Sequence, residues 1–225
     1  MCYVIMTVKE FNKFRIDLLE WWKENKREFL WRKVKDPYKI LCAEIMLQQT
    51  RAENVEDIYI KFVQKYPSIY SLNNADPENI KNLIKPLGLV YRYKVLKDNA
   101  KIIVEEFEGQ IPNTQEKLLD LPGVGQYISN AVLCFAFEEN VGVVDTNTIR
   151  ILKRVFDIHS EKSSARLDDK IQCKINELVG KEDCRKINYA LLDFGAKICK
   201  KASPNCEECF AKSYCCYVCD LNEEE

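Results

Sequence analysis

The stretch Leu121-Pro122-Gly123-Val124-Gly125-Gln126-Tyr127, with Val143-Val144-Asp145 downstream, decides how this chain is read. Two glycines flank one valine, and glycine both takes positive φ and lets a backbone come close to another group. Beyond the glycines, Ile128, Ala131, Val132, Phe135 and Ala136 recur at helical spacing, so a buried helix starts at the turn. The amides of the turn and of the helix start then point at one place, with the positive end of the helix dipole behind them. That arrangement suits an anion, and a phosphate is a suitable anion. Gly-Val-Gly alone reads more simply as an ordinary turn between helices.

Outward from this turn the chain reads as helices. Phe11, Phe14, Leu18, Leu19 and Trp22 give a helix from Phe11 to about Lys26. Asp36-Pro37 opens a second, with Tyr38, Leu41, Cys42, Ile45 and Met46 on its apolar face, and the polar Gln48-Gln49-Thr50-Arg51 interrupts it. Further helices run from about Ala52 to Tyr66, from an Asp76 cap to Pro86-Leu87-Gly88-Leu89, and from about Tyr91 to Phe107, closed by Gly109. Asn113-Thr114-Gln115-Glu116 has the capping-box pattern and starts the short helix before the glycines. After Asp145 come helices from Thr146, from Asp168 to Val179 and from Cys184 to Ile198. No alternating strand pattern occurs, so the fold class is all-α.

The chain has 225 residues, 47% hydrophobic and 31% charged, which is globular composition. No apolar run is long enough to span a bilayer, and Met1–Met6 lacks a signal-peptide pattern. A cytoplasmic protein is therefore expected. The net charge of −1 counts against a wholly basic nucleic-acid binder, but Lys81, Lys85, Arg92, Lys94, Lys97 and Lys101 form a local basic cluster. Of eleven cysteines, Cys199, Cys206, Cys209, Cys215, Cys216 and Cys219 crowd the end. The spacing C-x6-C-x2-C-x5-C from Cys199 to Cys215 suits four thiolates on either a zinc ion or an iron–sulfur cluster. Cys216 can replace Cys215 by a one-residue shift.

Leu-Pro-Gly-Val-Gly between two amphipathic helices is the helix–hairpin–helix signature, and such hairpins hold DNA backbone without reading sequence. With Trp31-Arg32, Asp36-Pro37-Tyr38, Glu44 to Thr50, Val144-Asp145 and the four cysteines in order, the chain resembles the helix–hairpin–helix DNA glycosylases of the endonuclease III superfamily from Phe11 to Cys215. The resemblance implies two helical domains. Residues 29–138 would form a six-helix barrel carrying the hairpin (about 114–138). Residues 1–28 and 139–225 would form a discontinuous domain with a [4Fe–4S] loop (199–215). The active site would lie in the cleft between them, and a monomer would act on double-stranded DNA with a mismatched or damaged base.

The resemblance also implies roles. Asp145 would stabilise the sugar cation and position water, beyond its plain reading as a helix cap. Glu44, in an otherwise apolar stretch, would be an acid–base group. Lyase-type members carry a lysine where this chain has Tyr127. A tyrosine cannot form the Schiff base that leads to strand cleavage, so a monofunctional enzyme is expected. Gln48, Gln49, Leu121, Gly123, Val124, Gly125 and Gln126 would meet DNA, and Lys200-Lys201 would contact phosphate. His159 has no motif around it and is taken as structural or solvent-facing.

Two mismatch branches compete: removal of thymine or uracil opposite guanine, and removal of adenine opposite 8-oxoguanine. Gln48-Gln49 resembles the adenine branch. Ala52 in place of valine, Tyr189 in place of glutamine, Leu87-Gly88-Leu89 without Gly-Tyr-Tyr, and the short stretch after the cysteines favour the thymine/uracil branch.

Overall fold

A computed structural model describes residues 8–223; residues 1–7, which include the Met1–Met6 stretch, and residues 224–225 lie outside the described residues. Among the described residues the chain is helical, without a strand, and no helix is long and apolar enough to cross a membrane. Twelve α-helices follow in order: α1 (Val8–Asn25), α2 (Pro37–Leu47), α3 (Ala52–Lys65), α4 (Ile69–Asn73), α5 (Pro77–Ile84), α6 (Arg92–Glu106), α7 (Gln115–Leu119), α8 (Gln126–Phe137), α9 (Thr146–Phe156), α10 (Asp169–Val179), α11 (Cys184–Lys197) and α12 (Cys216–Glu223). They divide into two compact units, one of residues 28–139 and one of residues 1–27 with 140–225.

In the unit of residues 28–139, α2 and α8 pack on each other and form the core. Tyr38 and every residue from Ile40 to Met46 are buried in α2, as is every residue from Ile128 to Phe135 in α8. Helices buried on all sides have no solvent face for polar groups, so Glu44 in α2 and Ser129 and Asn130 in α8 stand out. Asp36 starts α2 by accepting from the amides of Tyr38 and Lys39 at 3.0 and 3.3 Å, with Pro37 in the first turn. Asp76 does the same for α5 through the Glu78 amide.

Two local expectations change. The residue capping α7 is Thr114 rather than Asn113, and no side chain caps that helix. Leu118 buries instead, so packing against α8 orders this short helix. The basic run from Lys81 to Lys101 is also not one phosphate-facing cluster. Arg92 is fully buried, Lys97 Nζ donates to the carbonyls of Asn73 and Ala75, and Lys81 pairs with Glu78.

In the other unit, α11 packs against α1 and α9, and α12 against α9. Its core is aromatic: Phe14, Phe156, Phe194, Phe210 and Trp21 meet edge-on or tilted. The buried Asp193 joins its two sequence segments. The carboxylate accepts from Trp22 Nε1 at 2.8 Å and from Arg27 Nε at 2.6 Å.

Candidate functional site

The glycine turn of residues 121–125 is built from two glycines with different jobs. Gly123 has φ +72°, and a Cβ there would lie 2.8 Å from Val95 Cγ1, so the fold itself requires glycine. Gly125 has φ −95°, and a Cβ there would meet nothing within 4 Å. The protein gives no internal reason for glycine at that place. Gly125 is also the N-cap of α8, no side chain caps that helix, and the first amides of a long buried helix start beside exposed backbone. Leu121 and Val124 are buried beneath the turn, and Gln126 is half-buried at the helix start.

Tyr127, in the first turn of α8, hydrogen-bonds Glu44. Glu44 is 3% exposed. Burial pushes its carboxyl up to about 7, against the opposing pull of the Arg32 guanidinium and the Tyr127 hydroxyl. Its Oε2 has no hydrogen-bond partner. A carboxyl with a free oxygen that exchanges its proton near neutrality is equipped for acid–base work. At the end of α2, Gln48 Nε2 donates to the Gly123 carbonyl at 3.0 Å. Gln49 is exposed and left-handed (φ 54°), and Ala52 is the first residue of α3.

In the second unit, Asp145 is the N-cap of α9. Its Oδ1 accepts from the amides of Asn147 and Thr148, each at 2.8 Å, and its Oδ2 accepts from Asn147 Nδ2 at 2.7 Å. The Thr148 hydroxyl returns a bond to the Asp145 amide and completes the capping box. Burial raises this carboxyl above its ordinary range, and the four groups donated by Asn147 and Thr148 oppose that rise. The carboxylate is therefore held in one orientation from below.

Sequence reasoning missed what supports it. Arg150 Nη2 donates to Asn147 Oδ1 and to the Gly195 carbonyl, each at 2.8 Å, while its Nε donates to the Cys199 carbonyl at 2.7 Å. Gly195 lets α11 approach α9, since a Cβ there would stand 2.5 Å from Asn147 Cβ. Asn188 accepts from the Val143 amide and donates to the Val141 carbonyl, which fixes the segment entering Asp145. Tyr189, beside it, is buried under Arg185. Asn147 and Arg150, three residues apart, share one face of α9, but nothing in the sequence marks Gly195 or Cys199 as their partners.

Cys199, Cys206, Cys209 and Cys215 line one small cleft with Phe194, Ile198 and Val218, and Cys216 does not line it. Burial lifts the thiols of Cys209 and Cys215 to about 11 and 12. Among the described residues no three side chains converge tightly enough to hold a single metal ion. Four thiols walling one apolar cleft fit a larger cluster, whose charge would deprotonate them. Arg154 ties the loop down by donating to the carbonyls of Lys200 and Lys201. A cleft beside α9 is lined by Arg150, Lys153, Arg166, Lys200 and Lys201 and by no carboxylate.

Residues 42–177 match the model of the HhH-GPD superfamily of base excision DNA repair proteins. The thymine/uracil-DNA glycosylase of Methanothermobacter thermautotrophicus is 36% identical over 213 residues, covering 94% of this chain and 96% of that protein. The adenine DNA glycosylase of Rattus norvegicus is 34% identical over 95% of this chain, which spans 43% of the rat protein. The solved structure of a thermostable thymine-DNA glycosylase superposes with a TM-score of 0.89 at 34% identity, covering 94% of this chain and 98% of the other. Glu44, the glycine turn, Tyr127 and Asp145 all fall inside the matched span, and the chain belongs to the HhH-GPD superfamily of base excision DNA repair proteins.

Proposed function

We propose that the protein is a monofunctional DNA glycosylase, acting as a monomer, that removes thymine or uracil mispaired with guanine and leaves an abasic site. Relatives named thymine/uracil-DNA glycosylases match it at 35–36% identity along nearly their whole length. Tyr127 carries the mechanistic half of the reading. It stands where lyase-type members have a nucleophilic lysine, and it is bonded to a buried carboxyl instead of being free to attack sugar.

The N-terminus of α8 behind Gly125, with the positive end of its dipole, holds a backbone phosphate, and Lys153, Arg166, Lys200 and Lys201 hold others. A mismatched nucleotide leaves the stack at less cost than a paired one, which contributes selectivity. Gln48 and Gln49 meet the vacated space or the opposite base, while Ala52 and Tyr189 shape the choice of the base removed. The bond between C1′ and the base nitrogen then breaks. Glu44, protonated, gives its proton to the departing base, and the electron pair of the bond leaves with that base. Asp145 stabilises the resulting sugar cation and orients the water whose oxygen closes on C1′, the water's proton passing to the Asp145 carboxylate and on to solvent. Cys199, Cys206, Cys209 and Cys215 would hold a [4Fe–4S] cluster. When bound, that cluster supplies cross-linking of the loop that carries Lys200 and Lys201.

Gln48-Gln49 and the rat relative favour a second reading, in which adenine is the base removed. Duplexes carrying G·T, G·U and A·8-oxoguanine, each incubated with and without later alkali, separate the two. Release from G·T and G·U with strand breaks only after alkali is expected. Breaks without alkali would remove the monofunctional assignment, and turnover confined to A·8-oxoguanine would reverse the choice of base.

A further inference from the structure

Arg92 is the first residue of α6 and is wholly buried, yet it pairs with no carboxylate among the described residues. A buried guanidinium without a counter-ion persists only if its donors are satisfied and its charge is solvated by dipoles. Here every acceptor comes from a helix end or a turn. Nη1 donates to the Met46 carbonyl in the last turn of α2. Nη2 donates to the Leu87 carbonyl and to Thr50 Oγ1, each at 2.9 Å, and Nε to the Leu89 carbonyl at 3.2 Å. A cation at the C-terminus of α2 also complements that helix's dipole. One planar fork thus fastens three segments: the end of the helix that carries Glu44, the Gln48–Thr50 turn, and the Leu87–Leu89 turn.

The same face of α6 holds the glycine turn. Val95 fills the space under Gly123, and Asn99 Nδ2 donates to the Pro122 carbonyl at 2.8 Å. Positions 92, 95 and 99 lie on one side of the helix. Gln48 closes the circuit through the Gly123 carbonyl. The segment that grips backbone and the segment that carries Gln48 and Gln49 therefore stand on one support, at one spacing.

We propose that Arg92 is a positioning residue for base discrimination: it holds the Gln48–Thr50 turn at a fixed distance from the glycine turn, so that Gln48 and Gln49 enter the duplex where the phosphate grip places it. This rests on the proposed contact of both turns with mismatched DNA. A plain structural latch would need no link to the exposed turn, but Thr50 Oγ1 provides one. Thr50 accepts from Arg92, and its own hydroxyl donates to the Leu87 carbonyl (O···O 3.3 Å) or the Gln48 carbonyl (3.4 Å).

Arg92 variants are expected to lose stability, so Thr50 carries the test. Thr50→Val removes the hydroxyl and keeps the volume, and Thr50→Ser keeps the hydroxyl. Both are compared with wild type and Arg92→Lys by thermal melting. Affinity for a matched duplex is measured by anisotropy. Fluorescence of 2-aminopurine beside a G·T mismatch reports disturbance of the stack. Thr50→Val, which leaves one Arg92 N–H without its acceptor, should stay folded with a melting temperature lowered by a few degrees and bind matched DNA within about threefold of wild type. Its 2-aminopurine brightening and its preference for G·T over A·T duplex should fall about tenfold, and Thr50→Ser should restore both. Unchanged brightening and preference in folded Thr50→Val would overturn the proposal, as would a uniform loss of all binding. Because these readouts need no turnover, a wild type that brightens the probe but releases no base would sink the glycosylase reading alone. A wild type that binds no duplex would sink both.

Discussion

At the scale of single residues, the two glycines of the turn differ: the fold requires glycine at 123 and gives no internal reason for it at 125. Gly123→Ala would force a strained φ and press on Val95, and is expected to cost about 1–3 kcal/mol of stability. Gly125→Ala meets open space at an extended φ. The lost N-cap preference and the stiffer unfolded chain nearly cancel, so urea melts should agree with wild type to within about 1 kcal/mol. DNA affinity should nevertheless fall about tenfold, because the added methyl occupies the phosphate's approach; unaltered affinity would show that no phosphate comes there.

Glu44 gives the pH-dependent outcome at the same scale. Its carboxyl rises from 4.5 to about 7 on folding, so between those values the folded chain keeps a proton that the unfolded chain has lost. Stability therefore falls as pH rises through that window, and the penalty is complete above it. Relative to wild type, Glu44→Gln should gain on the order of 3 kcal/mol between pH 4 and 8 in denaturant melts. Base release by wild type should decline above pH 7 as the proton is lost, whereas the variant should be slow and flat. Glu44 was legible in the sequence as a charge in an apolar stretch. Arg92 was not, because a basic residue within a basic run reads as surface until its acceptors, all on distant segments, are known.

At the scale of elements, α9 is the part that gives Asp145 its direction. The cap at Asp145 was legible, since short polar residues before a helix announce themselves locally. What holds the cap was not, because Gly195 and Cys199 lie far along the chain from Asn147 and Arg150. The short α4 and α12 also escaped reading: neither is long enough to show a periodic pattern, although Ser68 and Ser71 form a capping box at the start of α4. Gly195→Ala isolates the contact between α11 and α9. Its methyl collides with Asn147, the residue bonded to both oxygens of Asp145. The variant is expected to lose about 1–3 kcal/mol of stability and at least tenfold in single-turnover base release, with duplex affinity held. Wild-type turnover in the folded variant would mean that Asn147 does not orient Asp145.

At the scale of the whole molecule, net charge misleads. A net charge of −1 and a pI near 6.1 describe a protein with no general attraction to DNA. The basic groups beside α9 are concentrated where no carboxylate lines the cleft, while many other lysines are neutralised by local pairs such as Lys174–Glu177 and Lys186–Asp183. Affinity should then come from a few phosphates, and its salt dependence counts them. Each phosphate neutralised on duplex DNA contributes a slope of about 0.9 in log affinity against log salt concentration. Removing both charges with Lys200→Ala and Lys201→Ala should lower the slope by up to about 2. It should weaken binding to matched and mismatched duplexes alike, and leave base release at saturating DNA unchanged. Those lysines sit on a loop held by Arg154 and walled by the four cysteines. A slope equal to wild type would mean that the loop never meets the backbone, and the cysteine centre would then have no part in holding DNA.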